Sequence, residues 1–164
     1  GDGDLGRTAG LVASALRRAL QEYPDDSIKL LRACGTEIAA TAPSSSGTLI
    51  ASAFMAAAKA VSESVDGVVV AGLQGGVDGI QHRGKAQPGD RTMLDALVPA
   101  LLVLQATPSN LQGAAEAAER GIEATRTMEA KFGRARFLAG NAVGEPDPGA
   151  AMVGNALAAA LRSA

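Results

Sequence analysis

Apolar positions recur at helical spacing from Gly6 to about Glu22, where Leu11, Val12, Ala15, Leu16, Ala19 and Leu20 form one face. The pattern stops at Tyr23-Pro24-Asp25-Asp26, a helix-ending signal. A second helix is predicted from Ser27, with Ile28, Leu31 and Ile38 on one face, breaking at Pro43 before Ser44-Ser45-Ser46-Gly47. A third runs from Thr48 to about Ser64. Val65 to Gln81 carries two patterns. Val68-Val69-Val70 favours a strand, whereas Val69, Leu73, Val77 and Ile80 follow at spacings of four, four and three. The helical spacing is the longer pattern, so a helix is predicted, with Gly72, Gly76 and Gly79 allowing a neighbouring helix to approach closely.

Beyond the loop Gly84 to Asp90, Thr92 and Asp95 have the spacing of a capping box for a helix reaching about Ala106, with Pro99 expected to kink it. Ser109 and Gln112 repeat that spacing and open an Ala/Glu-rich helix that should end near Phe132-Gly133. A Gly/Pro-containing loop, Gly133 to Gly149, leads to a last helix, Ala150 to Arg162. No internal period repeats and no low-complexity linker divides the chain. The pattern therefore predicts an all-α chain of about seven helices in one domain, residues 1–164.

Composition agrees with this pattern and narrows the core. Nearly half of the residues are apolar, yet there are three Phe, one Tyr and no Trp, so the core must be built from Ala, Leu and Val, which suits closely packed helices. A net charge of -2, with both signs interspersed, supplies neither the basic stripe nor the aromatic platforms of a nucleic-acid-binding surface. Cys34 is the single cysteine, which excludes an internal disulfide and a Cys-based metal centre and fits a cytoplasmic setting. The longest apolar stretch, Ala96 to Leu104, is too short to span a membrane. The chain opens without Met, already inside a Gly/Asp motif, so residues upstream of it are expected.

Four loops deliver small or charged residues directly onto helix starts: Gly1-Asp2-Gly3-Asp4, Ser44-Ser45-Ser46-Gly47, Gly84 to Asp90, and Asp147-Pro148-Gly149. Free N–H groups and the positive end of the helix dipole make such termini attract anions, and several together suit a polyphosphate. Any one loop alone reads more readily as an ordinary cap or turn, and it is the four together that point to function. Asp2 and Asp4, two apart in a Gly-rich loop, can point their carboxylates to one side, and at about 5 Å these would repel by roughly 3 kcal/mol at an effective dielectric of 20. A hard cation such as Mg relieves this repulsion, and a solvated acidic cap is the alternative. Arg134 and Arg136, with Lys85 and Arg91, are loop cations suited to phosphate, or simply solvated. His82 reads as a helix-end residue, Cys34 as buried filler, and Met93 as core or as a soft wall for a base.

These loops resemble, in order, the motifs of the dihydroxyacetone kinase L domain. The resemblance runs through Gly1-Asp2-Gly3-Asp4-Leu5-Gly6, Ser45-Ser46-Gly47, the block Arg83-Gly84-Lys85-Ala86-Gln87-Pro88-Gly89-Asp90-Arg91-Thr92-Met93-Leu94-Asp95-Ala96-Leu97, Gly133-Arg134-Ala135 and Asp147-Pro148-Gly149-Ala150. It spans nearly the whole chain. What it implies is an antiparallel, barrel-like bundle of eight helices, the first of them upstream of Gly1, with ADP or ATP bound at one end. It further implies two Mg ions held by three aspartates, of which Asp2 and Asp4 match two and the third lies upstream. Family nucleotide contacts fall on Leu5, Gly6, Arg7, Thr8, Ser45, Ser46, Gly84, Met93, Arg134, Asp147, Pro148 and Gly149, with Arg134 also placed to neutralise charge during transfer. Leu5 stands where many relatives have His, and Arg7 in a stretch where many have Thr or Asn.

The activity the resemblance implies is phosphoryl transfer to dihydroxyacetone (glycerone), the triose being held covalently through a His of a partner K-type domain or subunit. Nothing in this chain matches that His. The donor is either ATP or a retained ADP recharged by a phosphotransferase-system partner, and a homodimer is expected. The alternatives are a related kinase acting on another ketose or an acyl acceptor, or a catalytically silent ADP-binding or regulatory module.

Overall fold

In the computed structural model, residues 4–65, 67–133, 136 and 144–164 are described. They form seven α-helices and one short 3-10 turn, with no strand among them. The helices are α1 (Asp4–Glu22), α2 (Ser27–Thr41), α3 (Ser45–Glu63), α4 (Val68–Gly84), α5 (Leu94–Ala106), α6 (Leu111–Ala124) and α7 (Pro148–Ser163), with the 3-10 turn Thr125–Thr127 after α6. The all-α reading and the helix count stand. By their contacts the helices separate into two compact units, one within Asp2–Lys85 and one within Ala86–Ala164.

In the first unit α3 packs along α4 and α2, and α1 lies chiefly on α2. Ala15, Ala19, Cys34, Ile38 and Ala58 are almost fully buried, a core of small side chains that draws the helices together. The α3–α4 pair shows how close. A methyl group on Gly75 would lie 2.6 Å from the Ala60 Cβ, and one on Gly79 would lie 2.7 Å from the Ser52 carbonyl oxygen. Gly72 and Gly76, expected to serve the same contact, leave ordinary van der Waals room for a Cβ, at 3.5 and 3.8 Å. Gly72 faces Val61, Gly79 faces Ser52 and Gly84 faces Leu49, so the two helices run antiparallel. This packing turns the Val68-Val69-Val70 run into helix: tertiary contact outweighs a strand propensity worth a fraction of a kcal/mol per residue.

In the second unit α6 packs between α5 and α7. Leu94, Leu104, Ala114 and Ala118 are fully buried, and Ala96, Ile122 and Ala150 form a cluster extended by Ala151. Pro99 sits inside α5 and leaves the Asp95 carbonyl without its usual helical donor. Gly121 of α6 packs directly on that carbonyl, where a Cβ would overlap it. Arg162 of α7 meets Glu119 of α6 through two hydrogen bonds of 2.7 and 2.8 Å.

Both ends of α6 differ from the pattern. The cap of α6 is Asn110, not Ser109: the Asn110 Oδ1 accepts the Gly113 N–H at 3.0 Å, and Gln112 turns to Glu116 instead. The same helix ends at Ala124, well short of Phe132-Gly133. There the Thr125 hydroxyl donates to the Ile122 carbonyl at 2.6 Å, and the backbone tightens into a 3-10 turn.

Candidate functional site

The first unit gathers three helix ends. Asp4 opens α1 and is half-buried, as is Leu5, while Gly6 and Arg7 are exposed. One turn further, the buried Thr8 hydroxyl lies 3.0 Å from the Ser44 hydroxyl. Ser44 is the N-cap of α3. Its extended backbone lets its Oγ accept the Gly47 N–H at 3.0 Å, and its carbonyl accepts the Thr48 N–H at 2.8 Å. The helix therefore starts at Ser45, three residues before the predicted Thr48, because the cap is a single side chain that a periodic apolar pattern does not register. Gly47 packs against the Ala42 carbonyl with no room for a Cβ, so the serine run must end in glycine. The Ser45 and Ser46 N–H groups lie in the first turn, where a helix has no acceptors of its own. Gly84 closes α4 against Leu49, at this same end of α3, and Lys85 beyond it takes the left-handed conformation, φ 60°. Leu5, Gly6, Arg7, Thr8, Ser45, Ser46 and Gly84 thus share one end of the unit.

The second unit orders its loops around carboxylates. The Asp95 Oδ1 accepts the Gly89 N–H at 2.5 Å and its Oδ2 accepts the Thr92 N–H at 2.7 Å, so one buried side chain knits the loop before α5. The reaching-back half of the predicted capping box therefore forms, while the Thr92 hydroxyl makes only a long contact, 3.3 Å, with the Leu94 N–H. Asp90, also buried, accepts the Gln87 N–H at 2.8 Å and pairs with the Lys131 ammonium at 2.9 Å. That ion pair and the Gln87 N–H hold the Asp90 carboxyl below its ordinary pKa. Met93 is buried at the head of α5.

Asp147 caps α7 by accepting the Ala150 N–H at 2.8 Å, and Pro148 takes the first helical position, which needs no N–H. The last helix accordingly starts two residues before the predicted Ala150. The Asp147 N–H donates to the hydroxyl of fully buried Thr125 at 2.7 Å. Burial raises the Asp147 pKa, offset in part by the Ala150 N–H and the Arg91 cation. Two arginines hold the segment ahead of α7: Arg126 Nη1 donates to the Gly144 carbonyl at 2.8 Å, and Arg91 Nη2 to the Glu145 carbonyl at 2.9 Å.

Arg91 is 4% exposed, so it is not a solvated surface cation. Lys85, Arg136 and His82 are exposed, His82 in the last turn of α4, and Cys34 is fully buried, as a filler would be. Asp2 and Arg134 lie outside the described residues. Among the described residues no three His, Cys, Asp or Glu side chains come together as a metal site. Sequence reasoning passed over Asp90, Thr125 and Lys131. For Asp90 a local signal exists, since Gly-Asp after a Pro-containing loop is turn chemistry. Thr125 meets Asp147 and Lys131 meets Asp90 across long stretches of sequence, and no local signal marks those pairings.

Residues 1–162 match the family model of the DAK2 domain. The chain belongs to the DAK2 domain family. This DAK2 domain is 40% identical over 168 residues to the dihydroxyacetone kinase of Citrobacter freundii, covering 96% of this chain and 30% of that protein. It is 32% identical over 165 residues to the PEP-dependent dihydroxyacetone kinase, ADP-binding subunit DhaL, of Escherichia coli, covering 93% of this chain and 78% of that subunit. The crystal structure of the C. freundii dihydroxyacetone kinase in complex with AMP-PNP and Mg2+ matches the whole DAK2 domain with a TM-score of 0.80 at 33% identity, over 29% of its own chain. The domain thus spans less than a third of the Citrobacter kinase. No helix among its described residues is long and apolar enough to cross a membrane.

Proposed function

We propose that this chain is the nucleotide-binding domain of a dihydroxyacetone kinase, holding Mg-bound ADP or ATP and passing a phosphoryl group to a triose carried by a K-type domain or subunit. The observation that carries this reading is the Thr8–Ser44 hydrogen bond, which ties the start of α1 to the start of α3 beside the Gly84 turn. Two helix N-termini side by side present unpaired N–H groups and the positive ends of two dipoles, a surface matched to phosphate oxygens. The small residues there, Gly6, Ser45, Ser46 and Gly84, let a ligand approach the backbone.

Asp2 and Asp4 would hold Mg in this reading. Asp4 stands at the first position of α1, where a carboxylate is stabilised by the helix dipole. Mg is satisfied by one or two carboxylates when phosphates and water complete its shell, so a protein cluster of three ligands is not required. Bound Mg supplies neutralisation of phosphate charge. The chain contributes the remainder by positioning: backbone N–H groups fix the phosphates, Arg134 adds a cation, Met93 offers an apolar wall to the base, and Asp147, Pro148 and Gly149 frame the α7 start. Phosphoryl transfer needs orientation and charge neutralisation more than a protein nucleophile, so the absence of a matching His in this chain is consistent with the acceptor residing on the partner.

The test is calorimetric titration of ADP with and without Mg into the chain and into Asp4→Asn. Binding that depends on Mg and weakens at least tenfold in Asp4→Asn is expected, with helicity unchanged. Binding indifferent to both would remove the metal assignment, and no binding at all would remove the nucleotide assignment. Addition of a K-type subunit, dihydroxyacetone and ATP should then yield dihydroxyacetone phosphate and ADP.

A further inference from the structure

We infer that Arg91 is a positioning residue, bracing the Gln87–Asp95 loop against the N-terminus of α7 and so setting the spacing between Met93 and the Asp147-Pro148-Gly149 turn. The inference rests on the nucleotide reading above. Three observations carry it. Arg91 is 4% exposed, and a buried guanidinium is costly unless its donors and charge are met within the protein. Its Nη2 donates at 2.9 Å to the carbonyl of Glu145, 54 residues along the chain, and its charge acts on the Asp147 carboxylate that caps α7. Its backbone is left-handed, φ 59°, a conformation disfavoured for a non-glycine residue that persists where the surroundings impose it.

The surroundings here are the Asp95 carboxylate, which fixes the N–H groups of Gly89 and Thr92 on either side of Arg91. The loop is therefore rigid on one side, and Arg91 transmits that rigidity to Glu145 and Asp147 on the other. A lysine there keeps the charge felt by Asp147 but loses the planar guanidinium geometry that delivers a donor to the Glu145 carbonyl. Arg126 separately anchors Gly144, so the segment keeps one tether when Arg91 is changed.

The experiment measures Mg-ADP affinity by calorimetry for the parent, Arg91→Lys, Arg91→Met, Asp147→Asn and the double variant Arg91→Lys/Asp147→Asn, with thermal unfolding in parallel. Arg91→Lys should weaken binding about tenfold. In the Asp147→Asn background the same change should cost less than threefold, because its partner is already altered. Affinity within twofold of the parent in Arg91→Lys, or losses that multiply in the double variant, would overturn the inference while leaving the nucleotide reading intact. A change in unfolding temperature without any change in affinity would likewise make Arg91 merely structural and overturn it. If the parent itself fails to bind Mg-ADP, both readings fall. Should Arg91→Met not fold, Arg91→Lys and its cycle with Asp147 decide.

Discussion

Asp90 and Asp147 are both buried, yet their charges meet opposite surroundings. Lys131 stands against Asp90 and lowers its pKa, so the stability from that pair is present above the unfolded-state value near ~3.9 and is lost as pH falls through the lowered one. For Asp147 desolvation dominates and raises the pKa. The unfolded chain then ionises first as pH rises, so the cost of the buried charge grows from about pH 4 up to the raised pKa and is constant above it. Asp147→Asn keeps an oxygen for the Ala150 N–H and removes the charge. In urea unfolding, that variant should gain stability relative to the parent between about pH 4 and neutrality. A difference independent of pH would refute this account. The Asp147-Pro148-Gly149 cap is legible in sequence because Asp followed by Pro is a local helix-start signal. The burial of Arg91 is not, because it depends on Glu145 far along the chain.

Helices were legible as elements, and their ends were less so, for reasons that α6 makes concrete. Ser109 and Gln112 have capping-box spacing, but Asn110 occupies the cap and makes the bond to Gly113. Asn110→Ala should therefore cost about 1 kcal/mol in thermal or urea unfolding, and Ser109→Ala close to nothing. Equal losses, or the reverse order, would restore the capping-box reading. At the other end, hydroxyls settle the boundary: Thr125 and Thr127 both turn back to helix carbonyls, at Ile122 and Ala124. Periodicity weighs apolar spacing and is blind to such bonds. The same blindness hid the Ser44 cap of α3, whereas α4 was recovered because its apolar spacing persists through the valine run and its glycines seat it on α3.

At the scale of the molecule, the all-α class followed from composition and period together: an aromatic-poor, Ala-rich chain fills its interior by helix contact, and the structure buries many alanines alongside Ile and Leu in both cores. Charge and motif order pointed to a phosphate-handling family, and the DAK2 match confirms the family. What composition does not convey is the division of the helices into units of Asp2–Lys85 and Ala86–Ala164, since both halves draw on the same Ala, Leu and Val core. One buried group gives the first of these units a built-in clock. Cys34 is fully enclosed, burial raises its thiol pKa, and the chain has no other sulfhydryl. A disulfide reagent can reach it only when the helices over it part, so slow labelling reads the fraction of time spent open. An opening free energy of about 5 kcal/mol would slow labelling roughly 10³- to 10⁴-fold relative to the chain in urea. Labelling at the unfolded rate under native conditions would show that the helices enclosing Cys34 open with little cost.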